Sequence, residues 1–179
     1  MQKNNVEEKL RMTMANLADK EVEKISVSEL CKKAGISRAS FYIYYDSLDD
    51  LIKKTRDYVI EKMHSQLSVI LDIKDGAEIS KDSILFSDTD ISLLKGFTGK
   101  HVYWDFAIDA NNIITPRCRK KMIERWGEEY YRENEEVFEF MINGGAAMLY
   151  LDLVDFDKEK YIRNMNYVTG IAKELFPVP

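Results

Sequence analysis

Apolar residues recur along most of this chain with a period near 3.6 residues, and that spacing predicts helices from end to end. In "VEEKLRMTMANLADK", Val6, Leu10, Met14 and Leu17 stand at intervals of four, four and three, flanked by Met12 and Ala18, which makes a single core-facing stripe. "ISVSELCKKAGIS" reads as a helix of about two turns. Ser26 followed by Glu29 has capping-box spacing. Leu30 and Ala34 share a face beside Val27 and Cys31, and Gly35 falls where a left-handed C-terminal residue is needed.

The next stretch, "SRASFYIYYDS", crowds Phe41, Tyr42, Tyr44 and Tyr45 around Ile43. On propensity alone it is a strand, with Ser40, Tyr42 and Tyr44 on one face against Phe41, Ile43 and Tyr45. As a helix, at ~100° per residue, Phe41 and Tyr45 turn inward and Ala39 and Ile43 turn away. Arg38 with Tyr42 then lies along one flank and Ser40 with Tyr44 along the other. Ser37 as a cap, and the lack of a pairing strand nearby, favour the helix.

A longer helix follows in "DSLDDLIKKTRDYVIEKMHSQLSVIL", capped by Asp46 or Ser47, with Asp49 and Asp50 suiting the dipole of its first turn. Leu51, Tyr58, Val59, Met63, Leu67 and Ile70 continue the stripe. "DIKDGAEISKDS" is polar, contains Gly76, and is the best linker candidate. "DTDISLLKGF" and "KHVYWDFAIDA" read as short helices. "TPRCRKKMIERWGEEYYRENEEV" is expected to start a helix, with Thr115 as cap and Pro116 at the first helical position. "VFEFMINGGAAMLYLDLV" is nearly apolar, "DKEKYIRNMNYVTGIAKELF" closes the chain, and no internal repeat or low-complexity tract appears.

Composition sharpens this picture. Hydrophobic residues make up 45% and charged residues 32% of 179, typical of a folded chain, and eight Gly and three Pro are few breakers for so many helices. No run approaches the ~18 apolar residues of a membrane span. "MQKNNVEEKL" lacks the apolar core of a signal peptide, so no membrane association and a cytoplasmic location are expected. Cys31 and Cys118 have no metal-like spacing and are expected to be reduced thiols. His64 and His101 lack a ligand cluster, so no metal and no cofactor are expected. There is no HExxH, CxxC, phosphate loop or G-x-S-x-G, so the chain is not expected to be an enzyme. The net charge of -5 argues against nucleic-acid binding over the whole surface, but residues 1–63 carry 12 Lys+Arg against 11 Asp+Glu, which leaves room for a small DNA-contacting module.

"ISVSELCKKAGISRASFYIYYDSLDDL" resembles the DNA-binding segment of the TetR family of transcriptional repressors. There a pattern close to G-[IV]-S-[KR]-x-[TS]-[FL]-Y-x-[YH]-F precedes the helix that leads into the second domain. Gly35, Ile36, Ser37, Arg38, Ser40, Phe41, Tyr42 and Tyr44 match it, and the likeness covers roughly residues 5–60. Two positions depart from the pattern: Tyr45 stands where the family usually has Phe, and Leu48 where it usually has a phosphate-reaching Lys. The loss of that lysine predicts a shallower salt dependence of binding, by about 0.9 in the log–log slope.

The resemblance implies an all-α fold: a three-helix DNA-binding domain with a helix-turn-helix over residues 1–47, and a helical effector-binding and dimerisation domain over 48–179. It implies a homodimeric regulator, a repressor by family habit, that binds a palindromic operator in double-stranded DNA and is released by a small-molecule effector.

The expected DNA contacts are Ser26, Ser28, Ser37, Arg38, Ala39, Ser40, Tyr42, Ile43 and Tyr44. Arg38 is suited to a phosphate or a guanine edge, Ser40 to a base edge, Ala39 or Ile43 to a thymine methyl, and Tyr42 and Tyr44 to phosphates. A mix of apolar walls and few polar groups suits an effector pocket. Phe97, His101, Tyr103, Trp104, Trp126, Tyr130, Met141 and Asn143 are its candidates, although aromatics at helical spacing also read as plain core. Gly144, Gly145, Ala147, Met148, Tyr167 and Ile171 are candidates for the dimer interface implied on the last two helices. Packing within one subunit would account for the glycines as well. The alternative reading is a helical ligand-sensing or protein-binding regulator with weak or no operator affinity, for which Leu48 and the acidic balance speak.

Overall fold

Val6, Leu10, Met14 and Leu17 are all buried, so the stripe read along the first segment is the face on which it packs. The computed structural model describes residues 3–17, 25–71, 78–97, 103–152 and 157–175. Among them are nine α-helices and no strand, the all-α class expected. In order these are α1 (Lys3–Ala15), α2 (Val27–Ala34), α3 (Arg38–Tyr42), α4 (Leu48–Leu71), α5 (Asp88–Phe97), α6 (Tyr103–Trp126), α7 (Glu128–Glu133), α8 (Glu135–Asp152) and α9 (Lys158–Leu175). A 3-10 turn covers Lys81–Ser83.

The chain divides into two compact units, Met1–Val59 with Phe86–Phe106, and Ile60–Leu85 with Ala107–Pro179. The first takes in the expected 1–47 segment, the first half of α4, and α5. In it α1 packs on both α2 and α5. Leu30, Phe41, Tyr45, Leu51, Val59, Leu93 and Leu94 join the α1 stripe in its core.

The second unit is organised around Phe138 of α8. Tyr131 stacks on it at 5.3 Å and 8°, Trp126 leans against it at 5.4 Å, and Tyr130 meets its edge at 6.4 Å. Arg119 of α6 binds Glu139 of α8 at 2.6 Å, and both meet the Tyr131 hydroxyl, which joins α6, α7 and α8.

Two elements differ from expectation. No helix starts at Thr115 and Pro116; α6 runs through both without a break. Pro116 removes one backbone donor. Yet Phe106, Ala110, Ile114, Cys118 and Met122 form an unbroken buried stripe at every fourth position, and burial outweighs the lost bond. The Thr115 hydroxyl caps nothing and donates instead to Asn111 Oδ1 at 2.8 Å.

The linker candidate is also more than a connection. Gly76 lies outside the described residues, but Ile79 is buried and clamped by one amide. Its N–H donates to Asn166 Oδ1 at 2.7 Å, and its carbonyl accepts from Asn166 Nδ2 at 3.0 Å. Gln66, fully buried on α4, holds the same segment by accepting from the Leu85 N–H and donating to the Ser83 carbonyl.

Candidate nucleic-acid interface

Local chemistry fixes the turn between α2 and α3 at both ends. The Ser26 hydroxyl accepts from the Glu29 N–H at 3.2 Å and starts α2, which is the serine half of the expected capping box. Gly35 ends α2 at φ 64°, with its N–H on the Lys32 carbonyl and the Ile36 N–H on the Cys31 carbonyl. Ser37 then caps α3, accepting from the Ser40 N–H at 3.0 Å.

The regular part of α3 ends at Tyr42. The helical bonds Ile43 N–H to Ala39 carbonyl and Tyr45 N–H to Phe41 carbonyl carry the same winding through the aromatic run. The angular division therefore holds. Phe41 and Tyr45 are buried with ring centroids 5.5 Å apart, while Tyr42 is 49% and Ile43 72% exposed. Arg38 and Ala39 are exposed, and Ser40 and Tyr44 are half-buried. Ser26 and Ser28 are exposed at the start of α2, with Lys32 and Lys33 on its outer side. The nine candidate DNA-contacting residues thus fall on α2, on α3 and in the segments directly adjoining them, and none of them is core.

The hydroxyl that Tyr45 adds at the core edge stays protonated, because burial and the Glu7 carboxylate push it up to about 12. Lys54 closes this end of the motif. Its ammonium donates to the Tyr44 carbonyl at 3.1 Å and to Asp50 Oδ2 at 2.8 Å, and it lies 5.2 Å from the centre of the Tyr45 ring. That bond holds the Asp50 carboxyl below the usual carboxylate range. Lys54 escaped the sequence reading, although the Asp50–Lys54 spacing of one helical turn marks the pair. Leu48, in place of the expected lysine, is half-buried at the first position of α4, behind the Ser47 cap.

The candidate pocket residues are placed as follows. Phe97 is buried in the first unit and stacks on Phe106 at 5.7 Å. His101 lies outside the described residues, and Tyr103 and Trp104 are described only as backbone of α6. Trp126 and Tyr130, in the second unit, flank Phe138 and border an open depression of about 380 Å³ that Glu128, Glu129 and Glu133 also line. Met141 is half-buried. Asn143 is exposed, and its amide donates to the Glu139 carbonyl one turn back.

The dimer candidates divide as well. Gly145 is buried, and a Cβ added there would meet Leu67 of the same unit at 3.7 Å, ordinary contact distance. Gly144 and Met148 are half-buried and Ala147 is exposed. Tyr167 is 73% and Ile171 42% exposed on α9. Sequence reasoning missed Val137 and the 76%-exposed Phe140. Their spacing with Gly144 and Ala147, three, four and three, is the available signal.

Among the described residues no group of His, Cys, Asp and Glu is placed to hold a metal ion, and no helix is long and apolar enough to cross a membrane. No protein-family model matches the chain, and no curated protein matches it in sequence.

Proposed function

We propose that the chain is a TetR-like transcriptional regulator that reads double-stranded DNA with α3 and acts as a homodimer. The observation that carries this reading is the division of "RASFYIYY". Phe41 and Tyr45 anchor the segment, while Arg38, Ala39, Tyr42 and Ile43 are left to solvent on a helix held by the Gly35 turn and the Ser37 cap. A helix so mounted suits the major groove, with Lys32 and Lys33 beside it for phosphates.

For the dimer, support comes from the second unit. Val137 and Phe140 on α8 and Tyr167 and Ile171 on α9 are exposed apolar side chains, and a Cβ at Gly144 or Gly170 would meet nothing within 4 Å. On this reading a dimer presents two α3 helices to successive major grooves, ~34–36 Å apart. An effector bound in the second unit would act by favouring a different separation.

The test is selection of duplexes from a random-sequence library by the full-length protein, with solution mass measured in parallel. The expected result is an enriched palindrome and twice the chain mass. Arg38→Ala and Tyr42→Ala should each weaken binding about tenfold with unchanged melting temperature, the size of one good contact. Phe140→Glu should give a monomer. No enrichment at any salt concentration would sink the DNA-binding role.

One observation favours the second reading, a helical sensor or protein-binding regulator with weak operator affinity. Asp46, Asp49 and Asp50 lie directly after α3 where phosphates would approach, and Lys54 is already engaged by Asp50. Under that reading Arg38→Ala and Tyr42→Ala leave regulation untouched.

A further inference from the structure

Resting on the DNA-reading role of α3, we propose that this helix recognises its half-site chiefly through thymine 5-methyl groups rather than through hydrogen bonds to base edges. The outward side of the motif is chemically narrow. Arg38 is the one charged residue in "RASFY". The hydroxyls of Ser37 and Ser40 are 2.8 Å apart and bonded to each other, while Ser37 Oγ also accepts the Ser40 N–H. One of their two O–H donors is therefore spent within the first turn, and Ser40 is only half-exposed.

The remaining outward groups are the Ala39 methyl, the side chain of Ile43, and Tyr42, whose hydroxyl is suited to a phosphate rather than a base edge. Ile43 is the most exposed large hydrophobic residue in the first unit among the described residues. An aliphatic side chain gains nothing from the amino, carbonyl or ring-nitrogen groups of the major groove. Of the four base pairs' edges, only that of thymine offers an apolar group there, its C5 methyl. Lys32 and Lys33 on α2 supply charge for the backbone but carry no sequence information. The surface that remains for discrimination is methyl on methyl, with Arg38 as the single strong donor.

The experiment uses the full-length protein and the duplex enriched from a random library. Each thymine of a half-site is replaced in turn by deoxyuridine, which lacks only the 5-methyl group, and affinity is read by fluorescence anisotropy. We expect about fourfold loss at one or more thymines, the worth of one buried methyl. Ile43→Ala should bind thymine and deoxyuridine duplexes alike at one of these positions, and Ile43→Val should keep most of the discrimination. Melting temperatures of both variants should match the parent, since Ile43 is exposed. A selected site in which every deoxyuridine is neutral overturns the methyl readout and leaves the DNA-binding role standing. So does discrimination that survives in Ile43→Ala at every position. Failure to enrich any sequence overturns the DNA-binding role, and this inference with it.

Discussion

Gly35 and Phe41 both hold the helix-turn-helix, one through its backbone and one through its side chain. At φ 64° a Cβ on residue 35 would meet no neighbour within 4 Å, so the cost of Gly35→Ala is the left-handed conformation itself, about 1 kcal/mol. Phe41 is fully buried between Tyr42 and Tyr45, and Phe41→Ala should cost about 3–5 kcal/mol through the cavity it leaves. Ile43→Ala, two residues on but solvent-exposed, should cost under about 0.5 kcal/mol. Urea unfolding of the three variants checks this order. Equal losses at positions 41 and 43 would mean that the two residues are not divided between core and surface.

At the scale of the elements, α5 is held by a buried polar cap. Asp90, 2% exposed, accepts from the Ser87 N–H at 2.9 Å and the Ser87 hydroxyl at 2.8 Å, and its own N–H donates to Ser87 Oγ at 3.2 Å. This reciprocal cap is tied to α4, because the Tyr58 hydroxyl donates to Asp90 Oδ1 at 2.8 Å. The Arg11 guanidinium of α1 lies 4.4 Å from the centre of the Tyr58 ring. Burial, reinforced by Asp90, pushes the Tyr58 phenol up to about 12, so it remains the donor at neutral pH. Asp90→Ala strands three donors and should cost about 3 kcal/mol, and Tyr58→Phe about half of that. Backbone hydrogen exchange should accelerate in α5 more than in α2 in both variants. Unchanged exchange in α5 would show that the helix is held by its apolar face alone.

The stripes of α1 and α4, the Gly35 turn and the inward and outward sides of α3 were legible in the sequence because each follows from spacing within one element. Gln66 and Asp90 were not. Their burial depends on partners 17 to 32 positions away, and a polar residue gives no sign in advance that it will find them. Pro116 misled for a related reason: a local breaker signal was overruled by a stripe running across it.

At the scale of the whole molecule, an all-α fold was foreseeable from few breakers and continuous periodicity, but the grouping of the helices was not. The placing of α5 with α1 and α4, and of Ile79 with α9, comes from contacts between segments distant in sequence. Aromatic content marks core and cavity alike, so it does not single out a pocket.

The two cysteines, expected as buried or partly buried reduced thiols, are both buried and fall one to each unit, Cys31 in the first and Cys118 in the second. Burial raises both thiols against the lowering pull of Arg38 and Lys121 respectively, Cys118 to about 11, which disfavours the reactive thiolate in both. Alkylation must then wait for the surrounding helices to open. With Cys31→Ser and Cys118→Ser variants, labelling of the remaining thiol becomes a clock for one unit at a time, and each should run at least about a hundredfold slower than a free thiol. A fast clock at Cys31 alone would mark the first unit as the loosely held one.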